Sequence, residues 1–211
     1  GSDYLVFELN ANDKLFFTHS SVGDIISTRT FEDTSKFYHF MCAVDTTQAT
    51  AANRVKLYVD GDQITDLDSS TYPSQNFDTN ANSTSYSMAV GSFNTLTNIC
   101  TGGRLAEVNF VDGLQLGPST FGLTDTSTGR WIPKSLSGIT YGTNGFRMQF
   151  ANSAGQTIGD DTSGNGNDYA VSNLVVADVN IDSPTQNFTN MTGDNTGGFT
   201  IAEGGLNITS P

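Results

Sequence analysis

The chain has 211 residues, a formal net charge of −13 and only 15% charged residues. A surface so poor in clustered Lys and Arg argues against binding nucleic-acid phosphates, and no apolar run approaches the ~20 residues of a membrane-spanning helix. Fourteen Phe and seven Tyr argue against disorder, and the length fits one all-β unit able to bury a sizeable core.

Tyr4 to Leu9 reads as a strand, Asn10 to Asp13 as a turn and Leu15 to Thr18 as the returning strand. His19 to Asp24 reads as a loop, with His19 in solvent. Phe37 to Asp45 alternates Phe37, His39, Met41 and Ala43 against Tyr38, Phe40, Cys42 and Val44. Both faces carry apolar residues, which predicts cover from an opposing sheet and from an outer loop or partner. His39 is expected to be a hydrogen-bonded structural histidine. Two cysteines are too few for a disulfide framework, so Cys42 reads as a buried free thiol, with a Cys42–Cys100 bridge as the alternative.

Thr46 to Asn53 is a polar loop. Arg54 to Asp60 is a strand with Val55, Leu57 and Val59 on one face, and Asp60-Gly61 makes the tight turn after it. Gln63 to Leu67 returns. Asp68 to Ser85 is a long polar insertion of the kind that often carries function. Tyr86 to Val90 reads as a strand, and Phe93 to Thr101 as irregular. Arg104 to Val111 alternates strongly and is closed by Asp112-Gly113. Pro118 to Phe121 reads as one helical turn, and Trp131 opens an extended run bounded by Pro133. Gly145 to Phe150 is a strand, Gly155 to Asp168 a Gly/Asn-rich loop, and Tyr169 to Val179 a strand with bulges. Phe199 to Ile208 reads as a final hairpin around Gly204-Gly205. The pattern predicts a β-sandwich over residues 1–181. Residues 182–211 are expected to form a C-terminal extension or the start of a following module.

Tyr38-His39-Phe40-Met41-Cys42-Ala43-Val44-Asp45, then Leu57-Tyr58-Val59-Asp60-Gly61, then Gly103-Arg104-Leu105-Ala106-Glu107-Val108 resemble the laminin-G-like branch of the concanavalin A-like lectin/glucanase superfamily. A closer resemblance, over most of residues 37–188, is to proteins found widely in marine bacteriophages. It is carried by Ala43 to Val59, Thr71 to Asn76, Leu105 to Gly113, Ser119 to Gly122, Trp131 to Lys134, Tyr141 to Phe146 and Asp161 to Asn167. The resemblance implies an antiparallel jelly-roll β-sandwich. It also implies a virion structural protein, tail-fibre-like or otherwise exposed on the particle surface. Such a chain assembles with itself and with other virion proteins, and attaches to a host-surface glycan. A capsid or tail decoration protein without receptor binding is the near alternative. A carbohydrate-binding module of a larger secreted or cell-surface protein is the other. The chain departs from the pattern in lacking an N-terminal Trp-Xaa-Xaa-Gly-Trp-Val-like strand, and in placing its Asp-rich turn late, at Asp161–Asn167. That order implies circular permutation, or a second sandwich beginning near Gly145.

The superfamily includes glucan hydrolases, which need two carboxylates about 5–9.5 Å apart. Only four Glu occur (Glu8, Glu32, Glu107 and Glu203), none with an acid two residues away on its strand. Glu107 reads as structural, paired with Arg104 or another cation. No nucleophile elbow, His/Cys metal cluster or phosphate loop is present, so the chain is expected not to be an enzyme. Asp161, Ser163 and Asn165 alternate like the first half of a Ca2+ loop and are candidate calcium ligands. The twelfth position is Ser172 rather than Glu, and an Asx-rich turn accounts for the same pattern. Candidate glycan ligands are Tyr72, Asn76, Phe77, Asp78, Asn80 and Asn82 in the long loop, with Asn94, Asn98, Tyr141 and Asn144. Loop aromatics also pack down as anchors.

Overall fold

The computed structural model describes residues 4–83, 85–93, 98–99, 103–151, 155–179, 183–185, 200–202 and 207–209. Among these the chain is all-β. In order, the strands are β1 (Leu5–Leu9), β2 (Lys14–His19), β3 (Gly23–Thr30), β4 (Phe40–Val44), β5 (Val55–Val59), β6 (Asp62–Gln63), β7 (Leu67–Ser70) and β8 (Ser92–Phe93). Then come β9 (Asn98–Ile99), β10 (Val108–Phe110), β11 (Gly122–Thr124), β12 (Trp131–Pro133), β13 (Phe146–Met148), β14 (Thr200–Ala202) and β15 (Asn207–Thr209). Helix is confined to single 3-10 turns at Ala51–Asn53, Pro118–Thr120 and Val176–Asp178. One sheet has the order β1-β2-β3-β7 and another the order β4-β5-β6; β8-β9, β10-β13, β11-β12 and β14-β15 are two-stranded. Every ladder between these strands is antiparallel.

Period-two alternation builds the core. Leu15 and Phe17 of β2, Ile25 of β3, and Val55, Leu57 and Val59 of β5 turn to the same interior and form one buried cluster with Phe31. The two larger sheets therefore share a single apolar layer. Phe31 closes it with edge-to-face contacts to Tyr38 and Phe40, at ring-centroid distances of 5.4 and 4.9 Å. The β2–β3 register slips between Lys14 and Phe16, beside the buried Leu15. Ser27, itself fully buried, repairs the slip: its Oγ accepts from the Leu15 N–H at 2.9 Å and donates to the Arg29 carbonyl at 2.8 Å.

On the second face, this chain's own β11–β12 hairpin packs over His39, just before β4, and over the turn at Gly61. The Trp131 indole lies over two glycines. A Cβ built on Gly61 would stand 2.4 Å from Trp131 Cζ3, and one on Gly122 would stand 2.5 Å from Cε2. His39 stacks on the same indole at 5.8 Å, with Phe121 beyond it at 6.3 Å. Gly61 also has φ +89, a conformation that L side chains rarely adopt. The Asp-Gly turn thus makes both the bend and the seat for the indole.

Several expectations need correction. Gly23–Thr30 is an eight-residue strand where only the end of a loop, Gly23-Asp24, was expected, and Leu67–Ser70 turns the beginning of the long insertion into another strand. Tyr86 to Val90 and Tyr169 to Val179 are not strands: strand propensity is realised only where a ladder partner lies alongside. The Arg104–Val111 ladder is limited to Val108–Phe110. His19 is buried, not solvated. Its Nδ1 accepts from the Ser21 N–H, leaving Nε2 to donate to the Thr79 carbonyl at 3.1 Å. His39 is not hydrogen-bonded through its Nδ1, which is buried without a partner among the described residues, as is Trp131 Nε1. Burial lowers the His39 pKa, against the opposing pull of Asp60 and Glu107. Cys42 is a half-buried free thiol, its pKa pushed up by burial, while Cys100 lies outside the described residues. The final hairpin, by contrast, is where it was expected: Thr200–Ala202 pairs with Asn207–Thr209, and its Gly204-Gly205 turn lies outside the described residues.

Gly61→Ala is expected to destabilise the fold by about 2 kcal/mol or more, from positive φ and overpacking together. Denaturant unfolding followed by the fluorescence of the single tryptophan measures it. A stability within 0.5 kcal/mol of wild type, roughly the level of an ordinary surface change, would refute the seating of Trp131 on this turn.

Candidate functional site

Asn109 on β10 stands directly opposite Arg147 on β13, so their side chains share a face. Glu107, one alternation earlier, faces the same way. Arg147 Nε donates to Glu107 Oε1 at 2.8 Å, and Asn109 Nδ2 donates to the same oxygen at 3.0 Å. Tyr141 reaches in from its loop, its hydroxyl donating to Asn109 Oδ1 at 2.7 Å. Tyr141 is buried, and burial raises its pKa while the nearby Arg147 charge opposes the shift. Beside this chain of bonds lies a cavity of about 140 Å³. Leu136, Ile139, Tyr141, Arg147, Thr162 and Ser163 line it.

The loop after β13 is organised by Asp161. Its Oδ1 accepts from the Arg147 and Ser163 N–H groups, and its Oδ2 from the Ser163 hydroxyl and the Asn167 N–H, all between 2.8 and 3.0 Å. Partial burial would raise the Asp161 pKa, but these four donors hold it below the ordinary carboxylate value. Ser163 and Asp161 are therefore joined directly. Asn165 instead donates through Nδ2 to the carbonyls of Gly142 and Gly145, and Asn167 donates to those of Thr143 and Gly145. The loop thereby braces the turn that carries Tyr141 and Asn144. Tyr169 packs on Phe146 at 4.9 Å, its pKa pushed up to about 12 by burial and then by the Asp161 charge.

A second polar knot lies at the tip of the long loop. Asp112 accepts from Asn82 Nδ2 at 2.6 Å and from the Asn144 N–H at 3.1 Å, while Asn144 Nδ2 donates to the Asn82 carbonyl at 2.8 Å. Residues 62 positions apart are thus fixed side by side.

Of the sequence candidates, Tyr141, Asn144, Asp161, Ser163 and Asn165 fall in this one region, joined by Asn82. The others do not. Tyr72 packs against the apolar core, and Phe77 stands edge-on to His19 at 5.1 Å; both are anchors. The Asn76 N–H donates to the Thr46 carbonyl, and Asp78 accepts from the Asn80 N–H, so these hold the loop's course. Asn94 lies outside the described residues, as does the side chain of Asn98. Sequence reasoning missed Asn109, Asp112 and Arg147. The alternation over Glu107 and Asn109 gave their shared face, but the cross-strand partner follows only from register. Among the described residues, no three His, Cys, Asp or Glu side chains form a metal-holding group. Comparisons with protein families, curated proteins and solved structures find no match.

Two outcomes follow from the bonding of Asp161. A carboxylate with a depressed folded pKa contributes stability above its unfolded pKa of about 4 and loses it as pH falls through the folded value. Asp161→Asn is expected to lower the melting temperature at pH 7 and to flatten the decline below about pH 4; an acid limb identical to wild type contradicts this. A Ca2+ titration is expected to give no heat, because all four acceptor directions of Asp161 are in use. Heat that disappears in Asp161→Asn would instead make this turn a cation site.

Proposed function

We propose that this chain is a non-enzymatic, jelly-roll β-sandwich of the laminin-G-like type that serves as a surface-exposed, tail-fibre-like structural protein of a bacteriophage virion. It assembles with itself and with other virion proteins, and attaches the particle to a host-surface glycan. One observation carries the attachment half: Asn82 and Asn144, from loops 62 positions apart, are fixed side by side by their bonds to Asp112 and to each other. Amide groups fixed on a braced frame are suited to the hydroxyl pattern of a sugar. The two carboxylates beside the cavity lining, Glu107 and Asp161, are both engaged, Glu107 by Arg147 and Asn109 and Asp161 by Arg147, Ser163 and Asn167, which supports a binding role over acid–base catalysis. The motif residues that resemble phage proteins also support the reading through the work they do here. Trp131 seats on the turn after β5, and Asp161, Asn165 and Asn167 brace the Tyr141–Gly145 turn.

An array of bacterial surface polysaccharides probed with the full chain tests the attachment half. Binding to a subset of them is expected, and Asn144→Ala is expected to weaken it roughly fivefold to tenfold with little change in melting. An array with no binding removes glycan attachment and leaves the decoration role.

A further inference from the structure

The cavity beside Tyr141 is small and mixed in character. At about 140 Å³ it is well below the ~300–1,000 Å³ of a site for a drug-sized ligand, so it suits one compact group. Leu136 and Ile139 give it an apolar wall, and Arg147, Thr162 and Ser163 a polar one.

The bonding around the polar wall decides what that group must offer. Arg147 Nε is taken up by Glu107, which is held by Asn109, which is held in turn by Tyr141. The Arg147 side chain is only 19% exposed, yet its two Nη groups make no hydrogen bond among the described residues, which leaves donors on this wall. Thr162 has the reverse character. Its hydroxyl proton goes to the Arg147 carbonyl at 3.1 Å, so its Oγ1 is left to accept. Ser163 likewise gives its proton to Asp161. The occupant therefore needs an acceptor for Arg147, a donor for Thr162 and an apolar face for Leu136 and Ile139.

Charge narrows the choice. Glu107 already neutralises Arg147, and the Asp161 carboxylate is bonded to Ser163 of the wall. A carboxylate entering here would meet both acids, and an ammonium group would meet the guanidinium. A bare hydroxyl supplies no apolar face. A neutral acetamido group has all three parts, in its carbonyl oxygen, its N–H and its methyl.

We propose that this cavity receives the N-acetyl group of an amino sugar, with its carbonyl on the Arg147 guanidinium, its N–H on Thr162 Oγ1 and its methyl against Leu136 and Ile139. The proposal rests on the glycan reading above and narrows it to polysaccharides that contain N-acetylated hexosamines. One turn connects the two places, since Tyr141 lines the cavity and Asn144 meets Asn82.

Saturation-transfer NMR on the full chain tests it, with the methyl glycosides of N-acetylglucosamine, glucosamine, glucose and glucuronic acid as probes. The N-acetyl sugar is expected to bind, its acetyl methyl receiving the most saturation, and the other three to bind at least about fivefold more weakly. Ile139→Trp, which fills the cavity, is expected to abolish the signal with melting like wild type. If it unfolds the chain, Thr162→Val takes its place and is expected to weaken binding about fivefold. Equal binding of glucose, tighter binding of glucuronate, or acetyl saturation unchanged in the variant overturns the inference. An N-acetyl sugar that fails to bind, while the polysaccharide array shows binding, overturns the inference and leaves glycan attachment standing. Silent probes together with an array that shows no binding remove both.

Discussion

Water is excluded between the two larger sheets by a handful of side chains: Leu15, Phe17 and Ile25 from one, Val55, Leu57 and Val59 from the other. Each is worth roughly 1.5–3 kcal/mol when fully buried. Little else among the described residues replaces them, because helix is nearly absent there and the remaining ladders are two or three residues long. The turns and loops inherit their positions from this layer. The Asp60-Gly61 bend follows β5 and seats Trp131, and through that contact the β11–β12 hairpin is placed against β4.

The polar region follows a different rule. Its frame is a set of side-chain amides and carboxylates that satisfy backbone groups across loops. Asp161, Asn165 and Asn167 tie one loop to the turn at Gly142–Gly145, and Asp112 ties that turn to the long loop through Asn144 and Asn82. This explains the abundance of Asp and Asn in a chain with so few cations. Much of the acidic composition is structural, engaged with N–H and hydroxyl donors. The same bonding braces the loops against one another, the preorganisation that the proposed binding role calls for.

What could be read from sequence was what local chemistry decides. β1, β2 and β5 were legible because each alternates cleanly and is bounded by turn residues, and Asp60-Gly61 because only a glycine-like residue makes that bend. The Asp161 turn was legible as an Asx-rich loop. β3 was not, because its adjacent isoleucines run into the polar Ser27-Thr28-Arg29-Thr30, and Ser27 is buried to repair a register slip that lies twelve residues away. Residues 86–90 and 169–179 failed for the opposite reason: their composition favours strands, but no ladder partner lies alongside among the described residues. The Glu107–Arg147 pair spans forty residues and depends on register, which no short-range pattern encodes.

The central claim is that one apolar layer between the two larger sheets holds the fold, with β1 and β4 less enclosed than β2 and β5 among the described residues. Amide hydrogen exchange, resolved by residue, measures this most directly. The account predicts the slowest exchange in β2, β3 and β5, with β1 and β4 faster. Equal protection of β1, β4 and β5 would contradict it.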